Sequence, residues 1–133
     1  KVSDSKYLAG GSDGKVYCID TLHEKSDELI DIECPIWSIK VSSNQTFFVG
    51  TDNGALHEYS LDGVLLNKFD EHDNQIWTIY INESKNQLVT GGEDSRILIH
   101  RILPNVILEQ SVICNLPYKN VLLNKTIEPL YQF

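Results

Sequence analysis

The sequence predicts an all-β protein assembled from repeated four-stranded antiparallel units, and three observations carry that reading. Ile36-Trp37-Ser38-Ile39 returns as Ile76-Trp77-Thr78-Ile79, forty positions later, and a fixed period of that size marks an array of one supersecondary unit. Within each period, short apolar or alternating runs are bounded by Gly, Asp, Asn and Ser, as strands are bounded by turns. No segment sustains a 3.6-residue apolar period, so almost no helix is expected.

The elements follow in order. An opening copy begins at Lys1-Val2-Ser3, which matches Lys40-Val41-Ser42. It supplies strand b at 6–10, c at 15–19 and d at 28–33. The next copy has strands a to d at 36–41, 46–50, 55–60 and 64–69. The third has them at 76–81, 87–91, 96–101 and 106–112. Asp13-Gly14 and Asp52-Asn53-Gly54 suit tight hairpins that need positive φ. The turn aspartates are read at 13, 52 and 94.

Four short antiparallel strands per roughly forty residues make the blade of a β-propeller. The chain divides into a partial blade over 1–35 (strands b to d), a blade over 36–70, and a blade over 71–113. Residues 114–133 are a tail or the start of a further blade, since Asn120-Val121-Leu122-Leu123-Asn124 can open one. A single blade cannot bury both its faces, so neighbours must stack on it. A closed ring takes at least about four blades. The ring is therefore expected to be incomplete in this chain, and to be completed by more of the same chain or by another chain.

Composition narrows the partners. The net charge of −8 argues against nonspecific nucleic-acid binding, because a phosphate backbone selects Lys and Arg. The apolar runs are too short to span a membrane. Cys18, Cys34 and Cys114 are odd in number and widely spaced, which fits neither a disulfide framework nor a zinc site. Buried thiols in a reducing compartment are expected, which places the protein in the cytoplasm, with the nucleus as the alternative.

The best copy, 71–101, resembles the WD-repeat family. Glu71-His72 stands where that family has Gly-His, Thr90-Gly91 at its Ser/Thr-Gly position, Asp94 at its turn Asp, and His100-Arg101 at its Trp-Asp. The other copies hold Ile19-Asp20 and Tyr59-Ser60 at that last place. The resemblance implies a buried hydrogen-bond chain of His72, Thr90 and Asp94, its final Trp link missing. In the copy that opens at Ile36, Cys34-Pro35 replaces Gly-His, so no such chain is expected there. The blades are also similar to quinoprotein-type propellers at Gly14-Lys15-Val16-Tyr17 and Leu61-Asp62-Gly63. Those usually end strand d with a docking Trp, and the stretches 27–33 and 64–69 contain none.

No residue is read as catalytic, cofactor-binding or metal-ligating. The four histidines, His23, His57, His72 and His100, lack partners at ligand spacing. Gly10-Gly11-Ser12-Asp13-Gly14 is a hairpin turn rather than a phosphate loop, since no helix or Gly-Lys-Ser/Thr follows. The resemblance implies a protein-interaction scaffold in a multiprotein assembly. A structural module of a large multidomain protein is the second reading, and a quinoprotein-like enzyme the third.

In the family the d–a and b–c loops share one face. Here those loops carry Asp31, Glu33, Asp70, Glu71, Asp73, Asp13, Asp52, Glu93 and Asp94, against a near-neutral opposite face. A basic peptide or basic patch is therefore the expected partner. Trp37 and Trp77 each take the second position of a strand a. They either pack between blades or form a hot spot at the rim. The candidate partner-binding residues are Trp37, Trp77, Glu71, Asp73 and Glu93.

Overall fold

A computed structural model describes residues 1–102 and the backbone of 127–132. Its strands form three antiparallel sheets, each a blade. Blade 1 holds β1 (Lys6–Gly10), β2 (Lys15–Asp20) and β3 (Lys25–Asp31). Blade 2 holds β4 (Ile36–Val41), β5 (Thr46–Thr51), β6 (Ala55–Ser60) and β7 (Leu65–Asp70). Blade 3 holds β8 (Ile76–Asn82), β9 (Gln87–Gly92), β10 (Ile97–Ile102) and β11 (Ile127–Gln132). A single 3-10 turn, Glu83–Lys85, is the one helical element among the described residues.

Side chains alternate across each strand, so every blade has two faces. On blade 2 one face carries Ile39, Val41, Phe47, Val49 and Tyr59. It packs on Leu8, Val16 and Ile30 of blade 1. Its other face carries Phe48, Leu56 and Phe69 and packs on Ile76, Ile79, Ile81 and Leu88 of blade 3. Every residue of β5 is therefore buried. Each large side chain fully withdrawn in these two layers contributes about 1.5–3 kcal/mol. Among the described residues, nothing stacks on the remaining face of blade 1 or of blade 3.

Four details of the sequence reading change. The strand read at 28–33 is β3, Lys25–Asp31, whose ladder with β2 runs from Lys25 opposite Asp20 to Asp31 opposite Lys15. The strand expected at 106–112 lies outside the described residues. The place beside β10 is held instead by β11, from the stretch read as a tail or a further blade. Pro129 in β11 cannot donate to a ladder, and it sits opposite His100 at a bulge on an edge strand, where that loss is tolerated.

The second turn acceptor is Asn53, not Asp52. Asp13, Asn53 and Asp94 each accept, through Oδ1, the backbone N–H two residues on. Each is followed by a positive φ, at Gly14, Gly54 and Ser95. The opening match also slips by one residue. Val2 N–H donates to the Lys6 carbonyl as Ser42 N–H does to Thr46, so Val2, not Ser3, is the equivalent of Ser42.

Candidate interaction surface

The d–a loops and b–c turns meet at one end of the blades. Asp52 N–H donates to the Pro35 carbonyl, and Glu93 N–H to that of Gln75, both at 2.9 Å. At this end the structure brings His72, Thr90 and Asp94 together. Asp94 is nearly buried, which by itself would raise its pKa. Donors from His72, the Asp73 and Arg96 backbone and the Arg96 guanidinium outweigh that and hold it well below the usual carboxylate range.

An ionised carboxylate only accepts, so the His72 Nδ1–H donates to Asp94 Oδ1 at 2.9 Å. The other ring nitrogen, Nε2, then accepts from the Thr90 hydroxyl at 2.9 Å. The chain ties the d–a loop to strand β9 and to the b–c turn. Gly92 lets the ring in, because a Cβ there would lie 2.6 Å from His72 Nδ1.

Blade 2, lacking the histidine, closes its turn differently. The Thr51 hydroxyl lies 2.7 Å from Asn53 Oδ1 and 2.9 Å from the Ala55 carbonyl. The place of the family's Trp in blade 3 belongs to His100, whose side chain is fully buried and whose ring nitrogens find no partner among the described residues. Burial keeps it neutral, with its pKa pushed down to about 4.

Trp37 and Trp77 occupy the same irregularity. Each is the extra residue of a bulge, between Ile36 and Ser38 on β4 and between Ile76 and Thr78 on β8. A bulge re-aims its side chain, and the two indoles remain 52% and 55% exposed. Their N–H groups are occupied. Trp37 Nε1–H donates to Asp52 Oδ1 at 2.8 Å, and Trp77 Nε1–H to Gln75 Oε1 at 3.1 Å. Each ring is held by its polar edge, with its apolar faces left available.

The acidic residues at this end divide by role. Asp94 is internal, Glu93 is exposed and Glu71 half-buried. Asp73 is exposed but faces Arg96 Nη2 at 3.2 Å. Arg96 also reaches Asp94 Oδ2 at 2.8 Å and the Glu71 carbonyl at 3.2 Å. Lys15 pairs with Glu28 and approaches Asp31. The face is thus acidic with two built-in cations.

Sequence reasoning passed over Arg96, Asn53 and the Trp37–Asp52 pair. Only the repeat of an acceptor two residues before strand c signals the Asn53 role, and nothing local signals the other two. Among the described residues no group of three His, Cys, Asp or Glu side chains could hold a metal ion. No helix there is long and apolar enough to cross a membrane.

Comparison with known proteins finds a family match over part of the chain. Residues 63–101 match the WD domain, G-beta repeat family. That stretch holds the His72–Thr90–Asp94 chain and most of blade 3. Two crystal structures of computationally designed proteins share the fold. Ika8 has a TM-score of 0.62 at 19% identity, over 74% of this chain and 31% of its own. Ika4 has 0.64 at 19% identity, over 74% of this chain and 61% of its own. No curated protein sequence matches the chain.

Proposed function

We propose that this chain, which carries a WD repeat in part of a β-propeller, is an interaction scaffold of a multiprotein assembly in the cytoplasm or nucleus. Its acidic end receives a basic peptide or basic patch. A WD repeat points in general to a protein-interaction module rather than to catalysis.

The observation that carries the finer reading is the pair of half-exposed indoles at equivalent bulges, one held by Asp52 and the other by Gln75, at the end of the blades that also carries Glu93 and Asp73. A Lys or Arg of the partner can lie on an indole face, attracted by the ring quadrupole, while the carboxylates steer its approach. Fixing the N–H edges reduces the ordering cost of docking.

The test is titration of arginine- and lysine-containing peptides by tryptophan fluorescence at low and moderate salt. Trp77→Ala should weaken binding about thirtyfold, as hot-spot truncations do. Glu93→Lys should slow association and flatten its salt dependence. Unchanged binding in both variants would sink this reading. The second reading, a structural module in a larger protein, would then stand, supported by the two interblade layers.

A further inference from the structure

The outer strands of the three blades are not alike. β3, β7 and β11 each end a sheet, so each is paired on one side only within its sheet. Such an edge invites another strand, and proteins guard it with charge, proline or a bulge. All three carry a register shift against the strand inside them. β3 adds charge. Its exposed residues, 25–28 and 31, are all polar, with Lys25 held to Asp27 at 2.9 Å and Glu28 to Lys15 at 2.7 Å. β11 adds Pro129.

β7 opens instead on consecutive aliphatic side chains. Val64, just before it, is 59% exposed, Leu65 49% and Leu66 39%. A run of that kind on a protein surface signals use. Blade 2 has both its faces packed, one on blade 1 and the other on blade 3. The exposure therefore comes from the place of β7 at the rim of that blade, and not from a face without a neighbour.

The backbone is set for pairing as well. The Val64 carbonyl accepts from the Ser60 N–H at 2.9 Å, and the Val64 N–H donates to Ser60 Oγ at 3.1 Å. Inward- and outward-directed residues alternate along an antiparallel strand. Leu65, opposite Tyr59, therefore turns its own N–H and carbonyl away from β6. Further along, Lys68 is exposed and makes no ion pair among the described residues, and Asp70 is exposed beyond it.

We infer that β7 is a docking edge for an extended segment of a protein partner, which joins blade 2 as a fifth, antiparallel strand. Main-chain hydrogen bonds at Leu65 supply affinity, and alternate side chains supply selection. Opposite charges facing each other across a strand pair stabilise it, and like charges destabilise it. Antiparallel addition then sets a basic residue against Asp70, an acidic one against Lys68, and aliphatic ones against Leu66 and Val64. From its N-terminus the segment reads basic–x–acidic–x–aliphatic–x–aliphatic. This edge is separate from the acidic end, and the inference stands whether or not that end receives a basic peptide.

The probe is the peptide Lys-Thr-Glu-Thr-Val-Thr-Val-Thr, titrated into the purified protein by fluorescence anisotropy, with amide exchange at 64–68 followed by NMR. At saturation the Leu65 amide should exchange about tenfold more slowly or better. Exchanging the Lys and Glu of the peptide should weaken binding about tenfold. Methylating the backbone nitrogens of the peptide, with every side chain kept, should abolish binding. Leu65→Pro removes an outward N–H from an edge strand and spares the ladder to β6. It should also abolish binding while circular dichroism stays that of the wild type. Trp77→Ala should bind as the wild type does, which separates this edge from the acidic end.

No binding by the parent peptide overturns the proposal. So does a methylated peptide that binds as well as the parent, or a loss of binding in Trp77→Ala. A Leu65 amide already protected before any peptide is added overturns it too. In a monomer that protection means that another segment of the chain lies on β7, and in a dimer that a second copy does.

Discussion

His100 offers a quantitative test of how blade 3 is built. Its side chain is fully buried and both ring nitrogens lack a partner among the described residues. A buried imidazole in that state resists protonation, and its pKa falls from 6.5 to about 4. The folded pKa lies below the unfolded one, so the unfolded chain takes up the proton first. The stabilisation is therefore complete above about pH 6.5 and is lost as pH falls toward 4.

At 1.36 kcal/mol per unit, full loss amounts to roughly 3 kcal/mol. His100→Phe keeps a ring in the space and removes the two polar atoms. At about pH 7.5 the variant should be more stable by about 1–2 kcal/mol, the cost of leaving a polar group buried without a partner. The gap should widen on acidification by about the amount the histidine loses.

Urea unfolding midpoints at several pH values, with the slopes compared, measure both terms. His57, also buried and with its pKa lowered by burial, is present in both proteins and cancels in the difference. A difference that does not change between about pH 7.5 and pH 4 would refute the argument. So would a variant less stable than the wild type at the higher pH.

Two further outcomes follow from the same end of the blades. Thr90→Val keeps the shape but leaves His72 Nε2 buried without its donor, and should cost about 1–3 kcal/mol in urea unfolding. The same change at the exposed Thr78 should be nearly neutral. Gly54→Ala should destabilise by about 1–3 kcal/mol. It adds a Cβ at φ +83° that would run into the His72 carbonyl.

The sequence by itself determined the repeat, and the repeat determined the blade. Strands alternating every two residues and hairpin turns that need positive φ are local, so most element positions were legible from short windows. The His72, Thr90 and Asp94 set came from the resemblance of residues 71–101 to the WD repeat, and not from the pattern of strands and turns. The register of the turns was less so. Asp52 and Asn53 are adjacent and both can accept, and only the ladder of β5 with β6 selects Asn53.

What the tertiary structure alone decided are matters of pairing across long separations. An edge strand is chosen by backbone hydrogen bonds that carry little sequence information, so the place beside β10 went to Ile127–Gln132. Whether Trp37 and Trp77 are buried or exposed depends on the bulges that turn them. A bulge exists only between two paired strands. Arg96 reaches the Glu71 carbonyl across twenty-five residues of chain. Ile97 and Tyr7 are exposed where their equivalents in the other blades are buried, because no described element stacks on them, and burial is a property of what stacks on a residue and not of the residue itself.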